Sequence, residues 1–149
     1  MTARPARLVD DALMRDRFVG TADAVRGYLQ VLQETARHRE LDRELREDVM
    51  IVLGEVLNNI VEHAFRAGDG WIDCTVRQID GRLSVETCDN GLPMPPTLMV
   101  HGSLPEIGEA PDDLPEGGFG WFIIHSLVDD MVYERENGRN RLSFSFDMA

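Results

Sequence analysis

The sequence predicts an α/β two-layer sandwich, in which a mixed, mostly antiparallel sheet is covered on one face by three helices. Two observations carry the strands: apolar and polar residues alternate on either side of Asp80-Gly81, and again on either side of Asn137-Gly138. Such alternation around an Asp-Gly or Asn-Gly pair is the signature of a β-hairpin. A third observation carries the helices, since two stretches before the first hairpin and one between the hairpins have helix-like apolar patterning. With 149 residues there is material for one core and not for two. A short tail over residues 1–11 and a single domain over residues 12–149 are therefore expected.

Residues 13–19 (LMRDRFV) read as an edge strand, charged in its middle. Thr21 can cap the following helix and Asp23 suits its first turn. Val25, Leu29, Leu32 and Ala36 then recur at helical spacing up to an end near Arg39. A second helix is expected over residues 42–65, stopped by Ala67-Gly68-Asp69-Gly70. Its start is polar, with the charge run of residues 37–48 read as a solvated connection. From Val49 on, Met50, Ile51, Val52, Leu53, Val56, Leu57, Ile60 and Val61 leave little solvated surface, so this half is expected to be buried. The first hairpin covers residues 71–79 and 83–89, the second residues 131–135 and 142–146. A third helix is expected over residues 119–128, with Asp129-Asp130 as its exposed end. Six of the 7 prolines fall within residues 93–115. A loop of that length in a compact domain is usually a lid or binding loop.

Composition narrows the function. Hydrophobic content of 43% and charged content of 28% are those of a soluble globular chain. No apolar run approaches the roughly 18 residues of a membrane span, and no apolar segment of a signal peptide is present. A cytoplasmic protein without membrane contact is expected. A net charge of −12 argues against direct nucleic-acid binding, which needs a basic face. All 15 basic side chains are arginine, which rules out a catalytic lysine. Cys74 and Cys88 have no metal-like spacing and are expected to be buried thiols. His38 and His125 have no neighbouring ligand set. Trp71 and Trp121 read as core or interface residues.

Three separated motifs could carry chemistry. In Glu55-x-x-Asn58-Asn59-x-x-x-His63-Ala64, Glu55 and Asn59 are four residues apart and share a helix face, with His63 a turn further on. Burying such groups without partners costs about 1–3 kcal/mol each. A bound metal, water and phosphate would supply partners; a solvated strip would need none, and spacing alone leaves both readings open. Asp89-Asn90-Gly91 ends a strand and puts a carboxylate beside a glycine that lets a ligand approach the backbone, although alone it is a turn signal. Gly117-Gly118-Phe119-Gly120 precedes an apolar helix, and free N–H groups at a helix start can receive an anion. It is not a Walker P-loop, for it lacks the Lys and Ser/Thr.

In this order, with a long loop between the last two, the three motifs resemble those of the GHKL ATPases, the superfamily of gyrase, Hsp90, histidine kinases and MutL. Within it the chain is most similar to the anti-sigma factor serine kinases of bacterial partner-switching systems. The run Gly118-Phe119-Gly120-Trp121-Phe122-Ile123-Ile124-His125-Ser126-Leu127-Val128-Asp129-Asp130, the short length and the closing hairpin carry that likeness, which covers residues 12–147. The resemblance implies a Bergerat-type sheet with ATP held between the helix layer and the lid. It implies that Asn59 ligates Mg²⁺, that Glu55 is the general base acting on a serine hydroxyl, and that Asp89 accepts a hydrogen bond from the adenine amino group. Gly91 would leave room for the ring, and Gly118 and Gly120 would let the backbone close on the phosphates. A sigma factor and an anti-anti-sigma antagonist are the implied partners, and a homodimer the implied assembly; the resemblance also permits Asp129-Asp130 a role in positioning the last hairpin.

One departure bears on activity. The lid, residues 92–116, contains no Arg or Lys, carries Glu106, Glu109, Asp112, Asp113 and Glu116, and offers only His101 to a γ-phosphate. Two function classes therefore stay open: a protein-serine kinase, and a nucleotide-gated binding protein with little kinase activity. A third reading, a detached histidine-kinase ATP domain, is disfavoured because no phosphoacceptor helix accompanies the motifs.

Overall fold

Five strands and three helices make up the computed structural model, which describes residues 12–65, 68–94 and 118–148. The order is β1 (Ala12–Val19), α1 (Ala22–His38), α2 (Arg43–Asn59), β2 (Trp71–Ile79), β3 (Arg82–Asp89), α3 (Gly118–Leu127), β4 (Asp129–Glu136) and β5 (Arg139–Asp147). The strands form one sheet in the order β1-β2-β3-β5-β4. All four pairings are antiparallel, so the sheet expected to be mixed has no parallel pair among the described residues. Residues 1–11, the tail of the sequence reading, and residues 95–117, most of the lid, lie outside the described residues.

The hairpins form where the turn residues require. Asp80 and Gly81 have φ of 50° and 76°, and Asn137 and Gly138 have 55° and 75°. Left-handed backbone at both central positions matches the twist of the flanking strands, and Asp, Asn and Gly tolerate it best. Alternation then sorts each strand by face. Leu83, Val85, Thr87 and Asp89 of β3, and Asn140, Leu142, Phe144 and Phe146 of β5, point into the core. Since β3 and β5 pair with Asp89 opposite Asn140, the polar ends of two apolar rows meet at one end of the sheet.

The helices cover one face of this sheet. Thr21 caps α1 by accepting from the Ala24 N–H at 3.2 Å, and Asp42 caps α2 by accepting from Glu44 and Leu45. On α1, Tyr28 is buried alongside Val25, Leu32 and Ala36, while Leu29 is only partly covered. The phenol reaches the Cys74 carbonyl at 3.3 Å and its ring stacks on Phe18 at 4.9 Å. On α2, Val52, Leu53, Val56 and Leu57 are sealed from solvent, but Ile51 is 47% exposed. The expected burial therefore fails at Ile51, because a helix turning 100° per residue carries it past the core-facing arc. Among the described residues no helix is long and apolar enough to cross a membrane.

Three further expectations are corrected. The second helix is not α-helical to residue 65: after Asn59 it widens into a π turn over Ile60–Ala64. Asp129-Asp130 does not end α3. It opens β4, with Asp130 at φ 56° and both carboxylates drawn to Arg82, at 3.0 and 3.7 Å. Cys74 is buried, which pushes its thiol up to about 12, whereas Cys88 is only half-buried, on the face of β3 turned away from the helices.

Candidate nucleotide site

The first motif begins on the last turns of α2 and ends in the π turn that follows. Asn59 is 4% exposed, and its Nδ2 donates to the Glu55 carbonyl at 2.7 Å. That bond fixes the carboxamide and leaves Oδ1 without a hydrogen bond among the described residues. Glu55 is half-buried, and its carboxylate likewise makes no hydrogen bond or ion pair among them. A half-buried carboxylate beside a free amide oxygen is a poor structural device and a workable ligand set. No group of three His, Cys, Asp or Glu converges among the described residues. A cation here would thus take most of its ligands from phosphate and water, as Mg²⁺ commonly does. Asn59 Oδ1 is the right kind of donor for it.

Gly120 brings the third motif to the first. It lies in the first turn of α3, where an added Cβ would strike Glu55 Oε1 and stand 3.7 Å from Asn59 Nδ2. Gly118 is the first residue of α3, so the Gly-x-Gly pair belongs to the helix start. Gly117 lies outside the described residues, as do His101 and the acidic residues of the lid.

Asp89 ends β3 and is 2% exposed. Its Oδ1 accepts from the Gly91 N–H at 2.9 Å and from Asn140 Nδ2 at 2.8 Å, while Oδ2 has no hydrogen bond among the described residues. Burial pushes its carboxyl above the ordinary aspartate range, against the pull of those two bonds and of the Arg135 charge. Gly91 docks this motif onto the first: a Cβ there would run into the Ala64 side chain and carbonyl. The Leu92 N–H bonds the same carbonyl at 2.8 Å. The π turn ending at Ala64 is thus the junction between the motifs, and π turns recur at functional sites.

His63 fares differently. It lies in the π turn rather than in α2, and its Nε2 is buried without a hydrogen-bond partner among the described residues. Sequence reasoning also missed three residues near Asp89. Asn140 is buried beside it, held by Tyr133 and Arg135 of β4. The available signal was a polar residue at an inward position of an otherwise apolar row in β5. Trp71 stays on the outer sheet face, with the Arg17 guanidinium 3.8 Å above its ring.

The sequence profile of the histidine kinase-like ATPase domain matches residues 18–146. The chain belongs to that family. Within this ATPase family it is similar to the serine/threonine-protein kinase BtrW of Bordetella bronchiseptica, with 30% identity over 87% of this chain and 89% of that one. It is 31% identical to the serine-protein kinase RsbW of Bacillus mycoides, over 62% of this chain and 58% of the relative. Among solved structures, the histidine kinase domain of a blue-light activated kinase of Erythrobacter litoralis shares the fold. That match has a TM-score of 0.52 at 18% identity, and covers 83% of this chain and 61% of the other.

The two glycine contacts make a paired prediction. In Gly120→Ala the obstacle is the far end of a flexible side chain, and Ala is the better helix former by about 1 kcal/mol. The melting temperature should therefore hold or rise while the Glu55 carboxylate is displaced and turnover falls. In Gly91→Ala the obstacle is backbone, and overpacking of that kind costs about 1–3 kcal/mol. Thermal unfolding of both variants checks this: equal destabilisation would contradict the contacts described.

Proposed function

We propose that this chain is an ATP-dependent protein-serine kinase that acts as an anti-sigma factor. It binds a sigma factor, and it phosphorylates a serine of a small anti-anti-sigma antagonist, as a cytoplasmic homodimer. The observation that carries the reading is the convergence of the three motifs: Gly120 on Glu55 and Asn59, and Gly91 on Ala64. The likeness to BtrW over most of both chains supports the kinase class.

In this reading Asp89 Oδ2 accepts from the adenine amino group and Gly91 gives the ring room. Asn59 Oδ1 would hold Mg²⁺, which when bound neutralises phosphate charge. Glu55 takes the proton from the substrate serine hydroxyl. The serine oxygen then forms a bond to the γ-phosphorus, the bond from that phosphorus to the β–γ bridging oxygen breaks, and ADP leaves with the electron pair.

The test is transfer of labelled γ-phosphate from ATP to an anti-anti-sigma antagonist domain, with a serine-to-alanine antagonist as control. Label on the wild-type antagonist alone is the expected result. A lid without Arg or Lys favours one rival, the nucleotide-gated binder. Antagonist binding that requires ATP, with no label transferred, would establish that rival.

A further inference from the structure

Asn140 sits where the nucleotide reading needs a director. Its Nδ2 donates both to Asp89 Oδ1 and to the Leu92 carbonyl, at 2.8 Å each. Its Oδ1 accepts from the Tyr133 hydroxyl and from Arg135 Nη1. Every hydrogen-bonding capacity of a buried carboxamide is used, and two donors on the oxygen side exclude the flipped amide. The same partners reach on to the segment after Asp89. Arg135 donates to the Gly91 carbonyl at 2.9 Å, and the Met94 N–H donates to the Tyr133 hydroxyl at 3.0 Å. A surface hairpin is thereby tied to Asp89, Gly91, Leu92 and Met94 by a buried carboxamide, a half-buried phenol and an exposed guanidinium.

We infer that Asn140 is a positioning residue for base recognition: it occupies one oxygen of Asp89 so that the other faces the exocyclic amine of a purine, and it anchors the Leu92 carbonyl just beyond Gly91. The inference rests on the nucleotide reading proposed above. Its chemistry is specific. With Gly91 N–H and Asn140 Nδ2 both on Oδ1, the carboxylate has one orientation and Oδ2 is the acceptor left over. Without Asn140 the carboxylate can rotate and share either oxygen with solvent. Discrimination would then fall while contacts to the phosphates, made at the Glu55–Asn59 end, remain.

The experiment compares the Mg²⁺ complexes of ATP and of purine riboside triphosphate, which is ATP without its 6-amino group, by calorimetry on the full chain. Wild type is expected to prefer ATP by about 10-fold or more, as a hydrogen bond to a charged group allows. Asn140→Leu keeps the γ-branched shape of the side chain and removes both donors to Asp89 and Leu92. It should bring the ratio of the two affinities to within about threefold of one, with affinity for the amine-free analogue unchanged. Should that variant not fold, Tyr133→Phe carries the same test, since it frees one side of the Asn140 carboxamide and should lower the ratio. A wild-type ratio retained in the variant overturns the inference. Equal weakening of both ligands also overturns it, because a purely structural residue does not sense the 6-amino group. Wild type binding neither ligand defeats the nucleotide reading itself, a result distinct from the other two.

Discussion

Glu55→Gln is expected to leave Mg-ATP affinity within about threefold of wild type while lowering phosphate transfer by roughly 10²–10⁴-fold, the usual span of a general base. Glutamine keeps the shape of the side chain and its contact with Gly120, so the α2–α3 packing that brings the motifs together survives. What disappears is the carboxylate proposed to take the serine proton. Asn59, the other side chain beside Gly120, carries no basic atom that could replace it, and no lysine exists in the chain. Single-turnover transfer to the antagonist, measured beside nucleotide affinity, checks the split. Affinity and transfer falling together would make Glu55 a binding residue, and unchanged transfer would remove it from the chemistry.

Asp89→Asn should have an equally large effect of another kind. It should abolish measurable preference for ATP, yet leave the nucleotide-free protein at least as stable as wild type at neutral pH. The reason is burial: the carboxyl sits above its ordinary range, so the native state holds the proton better than the unfolded chain does. A carboxyl shifted upward contributes stability that is fully present below the ordinary aspartate value and is lost as pH rises through the raised one. Asparagine offers Oδ1 to the same two donors without that dependence. The stability advantage of the variant should therefore open as pH rises from about 3.8 towards neutrality. Chemical denaturation of both proteins across that range tests it. A variant less stable than wild type, with the gap widening as pH rises, would mean that the bonds to Oδ1 outweigh burial.

How much of this was legible in the sequence follows from the range of each interaction. Asp80-Gly81 and Asn137-Gly138 gave away both hairpins because a two-residue turn is a local decision. Thr21 and Asp42 mark the helix starts for the same reason. The π turn had no such signal, since Ile60 to Ala64 are ordinary helix residues and the junction depends on Leu92 and Gly91 reaching Ala64 from far along the chain. The first motif was visible as polar residues inside an apolar run, but spacing alone left the solvated strip open. Gly120 as the neighbour of Glu55 was legible only through resemblance. Asn140 needed the β3–β5 register, a pairing of residues 51 apart in sequence. Asp129-Asp130 misled because two acids after an apolar helix look like its frayed end, whereas Arg82 recruits them into β4.

The central claim, that three distant motifs form one Mg-ATP site, is tested most directly by titrating Mg-ATP into wild type, Asn59→Ala and Asp89→Ala in a calorimeter. The account predicts that wild type binds and that each substitution weakens binding by at least about 10-fold, the first through the metal and the second through the base. Magnesium-free titration should narrow the gap between wild type and Asn59→Ala but not that for Asp89→Ala. Affinity unchanged from wild type in both variants would contradict the account.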